Sequence, residues 1–389
     1  MNNIYLDNST ITRPSDRAVS KMLPFITEDL WGSPSTPHQM GQRLLPSMEE
    51  SYKSIYKMLG AKDTDSFILT SSGAEAVNHV IFSTYYDVSR LTGKNHFVTS
   101  FIDEAPSIMA IGRLEHYSCV GKMVKANSQG MIRGKDIAET ISPRTALVSL
   151  SWANGLTGVI NQVAEISEVC KERGIIFHLD ASHVLGKLFF ELEDVGADII
   201  SFNGANLHAP QGTGGLYIKE GHKLSSFILG GLEQAGLRAG SINVPGLIAL
   251  GEASKEAVEN RDYMCTEVAR LRNKLETGIV KGYPEAVIFF KQQERVPHIT
   301  AIGFPGISNE AMLFALNRKG VLASIGGGNF QQIGLVLAAS GIDETLAQTA
   351  VSFSLSRETH EGDIDRAIEI VVETTKKLRK LSAKMMPQT

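Results

Sequence analysis

Ser66-Phe-Ile-Leu-Thr-Ser-Ser-Gly-Ala-Glu-Ala-Val-Asn78 changes its hydrophobic period midway. The apolar run Ser66–Thr70 reads as a buried strand. Ser71–Glu75 is a turn of small residues, and Val77, Val80 and Ile81 then fall on one face of a helix. A strand running through such a turn into a helix is half of a βαβ unit. Free N–H groups at the helix start favour an anion, and the same Ser-Ser-Gly serves equally as an N-cap.

The pattern repeats outward from there. Phe97–Ser100, Thr145–Leu150, Ile175–Leu179, Asp198–Phe202 and Gly215–Ile218 read as further strands, and Glu165–Arg173 as a helix stopped by Gly174. Near-continuous apolar strands fit a parallel sheet covered on both faces, so the fold class is α/β. A long helical stretch after Pro245 leads out of this region through Leu271 and Leu275. Beyond Gly282 the strands Ile299–Phe304, Val321–Ser324 and Ala350–Leu355, and a closing helix Asp363–Leu381, indicate a smaller α+β unit. The expected division is an N-terminal segment 1–15 packing with the small domain, a large domain 16–255 and a small domain 256–389.

The bulk properties exclude several classes. A net charge of −4 supplies no basic surface for nucleic acid or an anionic membrane. Apolar runs such as Ile333–Ala339 are far shorter than the ~20 residues of a membrane span. The N-terminus Met1-Asn-Asn-Ile-Tyr lacks the pattern of a secretory signal or transit peptide. Three widely spaced cysteines, Cys119, Cys170 and Cys265, form no CxxC pair, which suits structural thiols in a reducing cytoplasm.

In an open parallel sheet, ligands sit at the carboxyl ends of the strands. Thr70–Glu75, Trp152–Gly158 and Asp180–His183 all fall there. Together with further segments they resemble the cysteine desulfurases of the NifS/IscS type, within the class V aminotransferases. Tyr5–Thr12 is similar to that family's opening YLDNNATT, and Gly32–His38 to its GNPSSxH. Ser72–Asn78 is similar to GATESxN, and Phe177–His183 to the HVDAxQ segment. Gly230–Val244 is similar to GGGQERGLRSGTENV, and Ser352–Asp365 to RFSLGR-x-T-x-EEID.

The resemblance implies a pyridoxal-phosphate-dependent transferase fold of the aspartate aminotransferase type, with a large mostly parallel sheet. It implies a homodimer, or a heterodimer with an active relative. It also implies a lysine imine, an aspartate at the pyridinium nitrogen, a phosphate site, an arginine for the substrate carboxylate and a sulfur-accepting cysteine. By position, Asp180 matches the aspartate, Asn154 the asparagine near the ring hydroxyl, and His183 the ring-side glutamine. Ser72, Gly73 and Ala74 match the phosphate turn. Ser241 matches the hydroxyl reaching a partner's phosphate, and Arg238 keeps the GLR element.

The positions that carry the chemistry depart from the family. Its SFSxHKxxGPKG stands against Ser201–Gly212, which places Asn206 at the lysine, Ala205 at the preceding histidine and Asn203 at the serine. Ala74 replaces the threonine of the phosphate turn. Asp103–Ile108 places Ala105 at the stacking histidine of TEHPAV. Ser324–Asn329 places Asn329, or Gly328 with a one-residue slip, at the cysteine of SSGSAC, and Ser352 replaces the arginine. An amide nitrogen is not basic and forms no imine. The expectation is therefore a degenerate homologue without covalently held pyridoxal phosphate, acting as a ligand- or partner-binding protein. Retained Asp180 leaves a non-covalent pyridoxal-phosphate enzyme as the alternative. Lys187 and Lys219 read as solvated, and His208 as a polar group of the pocket. Without a cofactor, Asp180 reads as a buried acid paired with His183 or His178.

Overall fold

The chain opens with a two-residue strand, β1 (Ile4–Tyr5). Seven strands then build the main sheet of the computed structural model: β2 (Ser66–Thr70), β3 (His96–Ser100), β4 (Val120–Val124), β5 (Thr145–Ser151), β6 (Ile176–Asp180), β7 (Ile199–Asn203) and β8 (Gly214–Ile218). Their order is β2-β8-β7-β6-β5-β3-β4, and only β8 runs against its neighbours. The structure describes residues 3–327 and 331–385, the side chains of 382–385 excepted.

Period-2 side-chain alternation explains why both faces are covered. Phe97, Leu147 and Ile199 pack under the helices Gly73–Thr84 and Ala105–Leu114 with Val77, Ile81 and Ile111. Their chain neighbours Val98, Val148 and Ile200 face the other way, onto Ile55 and Leu250 of the helices Leu45–Leu59 and Val244–Glu259. The edge strand β2 is protected: the Gln234 amide accepts from Leu69 N at 2.7 Å and donates to Leu69 O at 3.0 Å.

Four short strands follow, β9 (Val287–Ile288), β10 (Ile299–Gly303), β11 (Val321–Leu322) and β12 (Ala350–Ser354). The order β12-β10-β9 is antiparallel, and β1 pairs in parallel with β11. The helices Ala269–Gly282 and Glu361–Met385 share a separate apolar cluster with Phe304 and Phe353. The N-terminal segment packs with this unit as far as Ser9, whose N–H donates to Ser354 Oγ, and then crosses to the main domain. Thr12 N donates to Ala205 O and Ser15 N to His208 O, carbonyls left free where the chain turns after β7.

Two readings of the elements need correction. The helical stretch after Pro245 breaks at Asn260, whose backbone is non-helical, and resumes through the five-residue wide turn Met264–Val268. Strand β4, VGKMV, was not anticipated because its exposed edge position removes the apolar signature. Among the described residues no helix is long and apolar enough to cross a membrane.

Candidate functional site

The carboxyl ends of β5, β6 and β7 open onto a pocket of about 320 Å³. Ser72, Gly73, Ala74, Asn154, Asp180, His183, Asn203 and Asn206 all line it, so eight of the anticipated residues converge. Their roles differ from residue to residue.

Asp180 ends β6. Its Oδ1 accepts from Ser182 N at 3.0 Å and from the Ser182 hydroxyl at 2.6 Å. Burial raises its pKa, and nearby Glu104 adds to the rise, while the Ser182 donors and His183 oppose it. Neither expected histidine is its hydrogen-bond partner. His178 is taken by Ser149 and Ser201, at 2.8 and 2.9 Å, and burial pushes its pKa down to about 3. His183 Nε2 instead faces Glu104 Oε1 at 3.3 Å.

Asn154 lines the pocket with its side chain partly engaged. Its Nδ2 donates to Ile102 O at 2.8 Å, and its Oδ1 accepts from Leu156 N, Thr157 N and the Thr157 hydroxyl. Its Oδ1 shapes the turn, and the second hydrogen of its Nδ2 stays available at the pocket wall. Ser72 caps the Gly73–Thr84 helix by accepting from Glu75 N at 3.2 Å. Glu75 pairs with Arg238 at 3.0 Å, so that arginine is also engaged.

Asn206 forms the floor. Its Nδ2 donates to Ser9 O at 2.6 Å, its Oδ1 accepts from Asn203 Nδ2 at 3.0 Å, and its main-chain oxygen accepts from Lys187 Nζ at 2.9 Å. Ala205, 4 % exposed, is turned away from the pocket, its carbonyl held by Thr12. Ala105 is the first residue of its helix and does not line the pocket, whereas its neighbours Glu104 and Pro106 do. Ser352 is buried in β12, its hydroxyl donating to Leu156 O at 2.7 Å. Ser241 is exposed and lies outside this pocket. Asn329, with Gly328, falls outside the described residues.

Lys187 is not solvated. It is 6 % exposed and lines a separate cavity of about 30 Å³ behind Asn206, with His208, His298 and Arg357. Burial, and then Arg357, lower its pKa to about 7. His208 belongs to that cavity too, not to the main pocket; its Nδ1 meets Arg13 O at 2.8 Å, and burial lowers its pKa to about 3. Lys219 is exposed as expected.

The anticipated set missed Glu104, Gly155 and Ser182. Glu104 had a visible signal. It is a carboxylate immediately before Ala105-Pro106, where a proline marks a helix start.

This sheet order, with its pocket at the strand ends, defines a pyridoxal-phosphate-dependent transferase fold. A solved structure described as a NifS-like protein superimposes with a TM-score of 0.89 at 27 % identity, over 97 % of this chain and all of that one. The family model "Aminotransferase class-V" matches residues 4–367, and the chain belongs to that family. It is a cysteine desulfurase-like member. A cysteine desulfurase of Gluconacetobacter diazotrophicus is 34 % identical over 394 residues, covering 98 % of this chain and 96 % of its own. Cysteine desulfurase NifS of Azotobacter vinelandii is 33 % identical, covering 98 % and 95 %.

The family resemblance makes pyridoxal phosphate the group to test against the pocket. Asp180 and the helix start at Gly73 suit a pyridine ring and an anion. Among the described lining residues, however, there is no lysine to tether it, and the floor amide already bonds Ser9 and Asn203. The residues present do not fit a covalently held cofactor.

Proposed function

We propose that this desulfurase-like chain binds a small molecule non-covalently and carries out neither desulfurase nor aminotransferase chemistry. One observation carries the reading: the residue at the pocket floor is Asn206, held by three hydrogen bonds, and no amine or thiol of the described residues lines the pocket. The cysteines offer no substitute. Cys119 and Cys170 are buried, and burial pushes the Cys170 thiol up to about 12. Cys265 is partly exposed, but its pKa is also raised by burial and it lies outside the pocket. A nucleophilic thiol needs the opposite shift.

Asp180 favours a second reading. It ends β6 beside the pocket with its carboxylate held by Ser182, a placement suited to a protonated pyridine nitrogen. In that reading pyridoxal phosphate binds without a tether and serves a different reaction. For either reading we infer a dimer of two copies, or of this chain with an active relative. The exposed Trp31, Leu229 and Leu232 support it, as apolar side chains beside loops that would meet a partner. Free cysteines suit a reducing cytoplasm.

The test is sulfide release from L-cysteine by the purified chain with added pyridoxal phosphate. The expected result is no release above the buffer control. Multiple turnover would reject the first reading. A thermal shift with pyridoxal phosphate but no turnover would favour the second.

A further inference from the structure

The main pocket keeps carboxylates at two positions of the family pattern but not the lysine and arginine that accompany them in the family. Glu104 and Asp180 line it, and none of its described lining residues is a lysine or arginine. A third carboxylate, Asp103, is spent inward on Thr99, Ser100 N and Ser151 N. Glu104 has no such partners. It caps no helix N–H and meets only His183 Nε2.

Gly155 makes this arrangement possible. A Cβ at that position would lie 2.4 Å from His183 Nε2 and 2.9 Å from Glu104 Oε1, closer than real atoms approach. The bare backbone at 155 and the His183–Glu104 pair therefore form one unit: any side chain there displaces the pair. Ile102, Pro106, Leu156 and Val336 give the pocket an apolar wall. Around Glu104 and Asp180 the low-dielectric walls focus a negative potential that attracts a cation, whereas the helix start at Gly73 keeps its own preference for an anion.

We infer that the ligand of this pocket is a small organic cation, a primary amine with an apolar body, its ammonium seated against Glu104 and Asp180. The body lies along Ile102 and Leu156, and Asn203 and Ser9 serve a polar tip. The inference rests on the proposed non-covalent pocket and names the ligand class for it.

The experiment uses the full chain and a charge-reversed pair of similar shape, tyramine and 4-hydroxyphenylacetate, in titration calorimetry with saturation-transfer NMR. Tyramine is expected to bind at least about tenfold tighter than the carboxylate, the usual scale for a hydrogen bond to a charged group. Glu104→Gln is expected to remove most of that preference while leaving the melting temperature in place. Gly155→Ala is expected to weaken tyramine without changing any charge. Equal or tighter binding of 4-hydroxyphenylacetate overturns the inference, as does no tyramine binding at millimolar concentration. The non-covalent reading fails by a different signature: borohydride reduction in the presence of pyridoxal phosphate would leave a lysine adduct, whatever tyramine does. Carboxylate preference without an adduct sinks only the amine assignment.

Discussion

Asn206 separates two cavities of opposite character. In front lies the open pocket of about 320 Å³ with Glu104 and Asp180; behind lies a space of about 30 Å³ lined by Lys187, His208, His298 and Arg357. The rear basic groups Lys187 and Arg357 are held by the protein itself. Lys187 donates to Asn206 O and Ser182 O, and Arg357 pairs with Glu256 at 3.1 Å. Neither front carboxylate meets a lysine or arginine: Asp180 is held by Ser182, and Glu104 faces His183. A lysine with a depressed pKa would be a capable nucleophile. Here it stands on the wrong side of the floor. The chain thus owns an amine with suitable acidity and a pocket with the family's shape, but not the two together. Placement rather than composition decides the chemistry.

The largest effect expected from breaking this contrast is at Lys187. Above a pH of about 7 the folded chain has shed that proton, while the unfolded chain, with an ordinary value of 10.5, still holds it. The unfolded state binds more protons in that window, so stability rises with pH from about 7 to about 10. Lys187→Met should flatten this rise, by on the order of 3 kcal/mol across the window. Urea denaturation at several pH values measures it, and an unaltered slope in the variant would contradict the buried neutral amine.

Asn206→Ala comes next. It leaves Ser9 O without its donor and Asn203 without its acceptor, both beside the floor. A loss of about 1–3 kcal/mol is expected in chemical denaturation. A neutral result would mean that the amide does not hold the floor. The smallest effect sharpens the front cavity. Ser182→Ala removes a hydroxyl that stabilises the Asp180 carboxylate, so Asp180 should titrate at higher pH in NMR. A downward movement would mean that Ser182 is not its main donor.

Most of the main sheet was legible because its strands bury both faces. Val148 and Ile200 alternate with Leu147 and Ile199, and such apolar runs survive in sequence as uninterrupted signals. Strand β4 and the two-residue β1 lacked that signal, one being exposed and the other too short. The pocket positions were legible by their place at strand ends, yet their partners were not. Whether Asn154 serves a ligand or its own turn depends on the Leu156 and Thr157 donors, which a linear reading does not orient. Lys187 illustrates the same limit. A lysine after Gly186 looks solvated until the sheet, the N-terminal segment and Arg357 close around it. Glu104 shows in the sequence as a carboxylate at a helix start, but carries no mark there of the pocket it lines, which its neighbour Ala105 does not reach.

The most direct measurement is borohydride reduction of the purified chain incubated with pyridoxal phosphate, followed by peptide mass spectrometry over all its lysines. The account predicts no pyridoxyl-modified lysine beyond the scattered exposed ones that a denatured control also labels. A single stoichiometric adduct formed only by the folded chain, at Lys187 or any other lysine reaching the pocket, would contradict it.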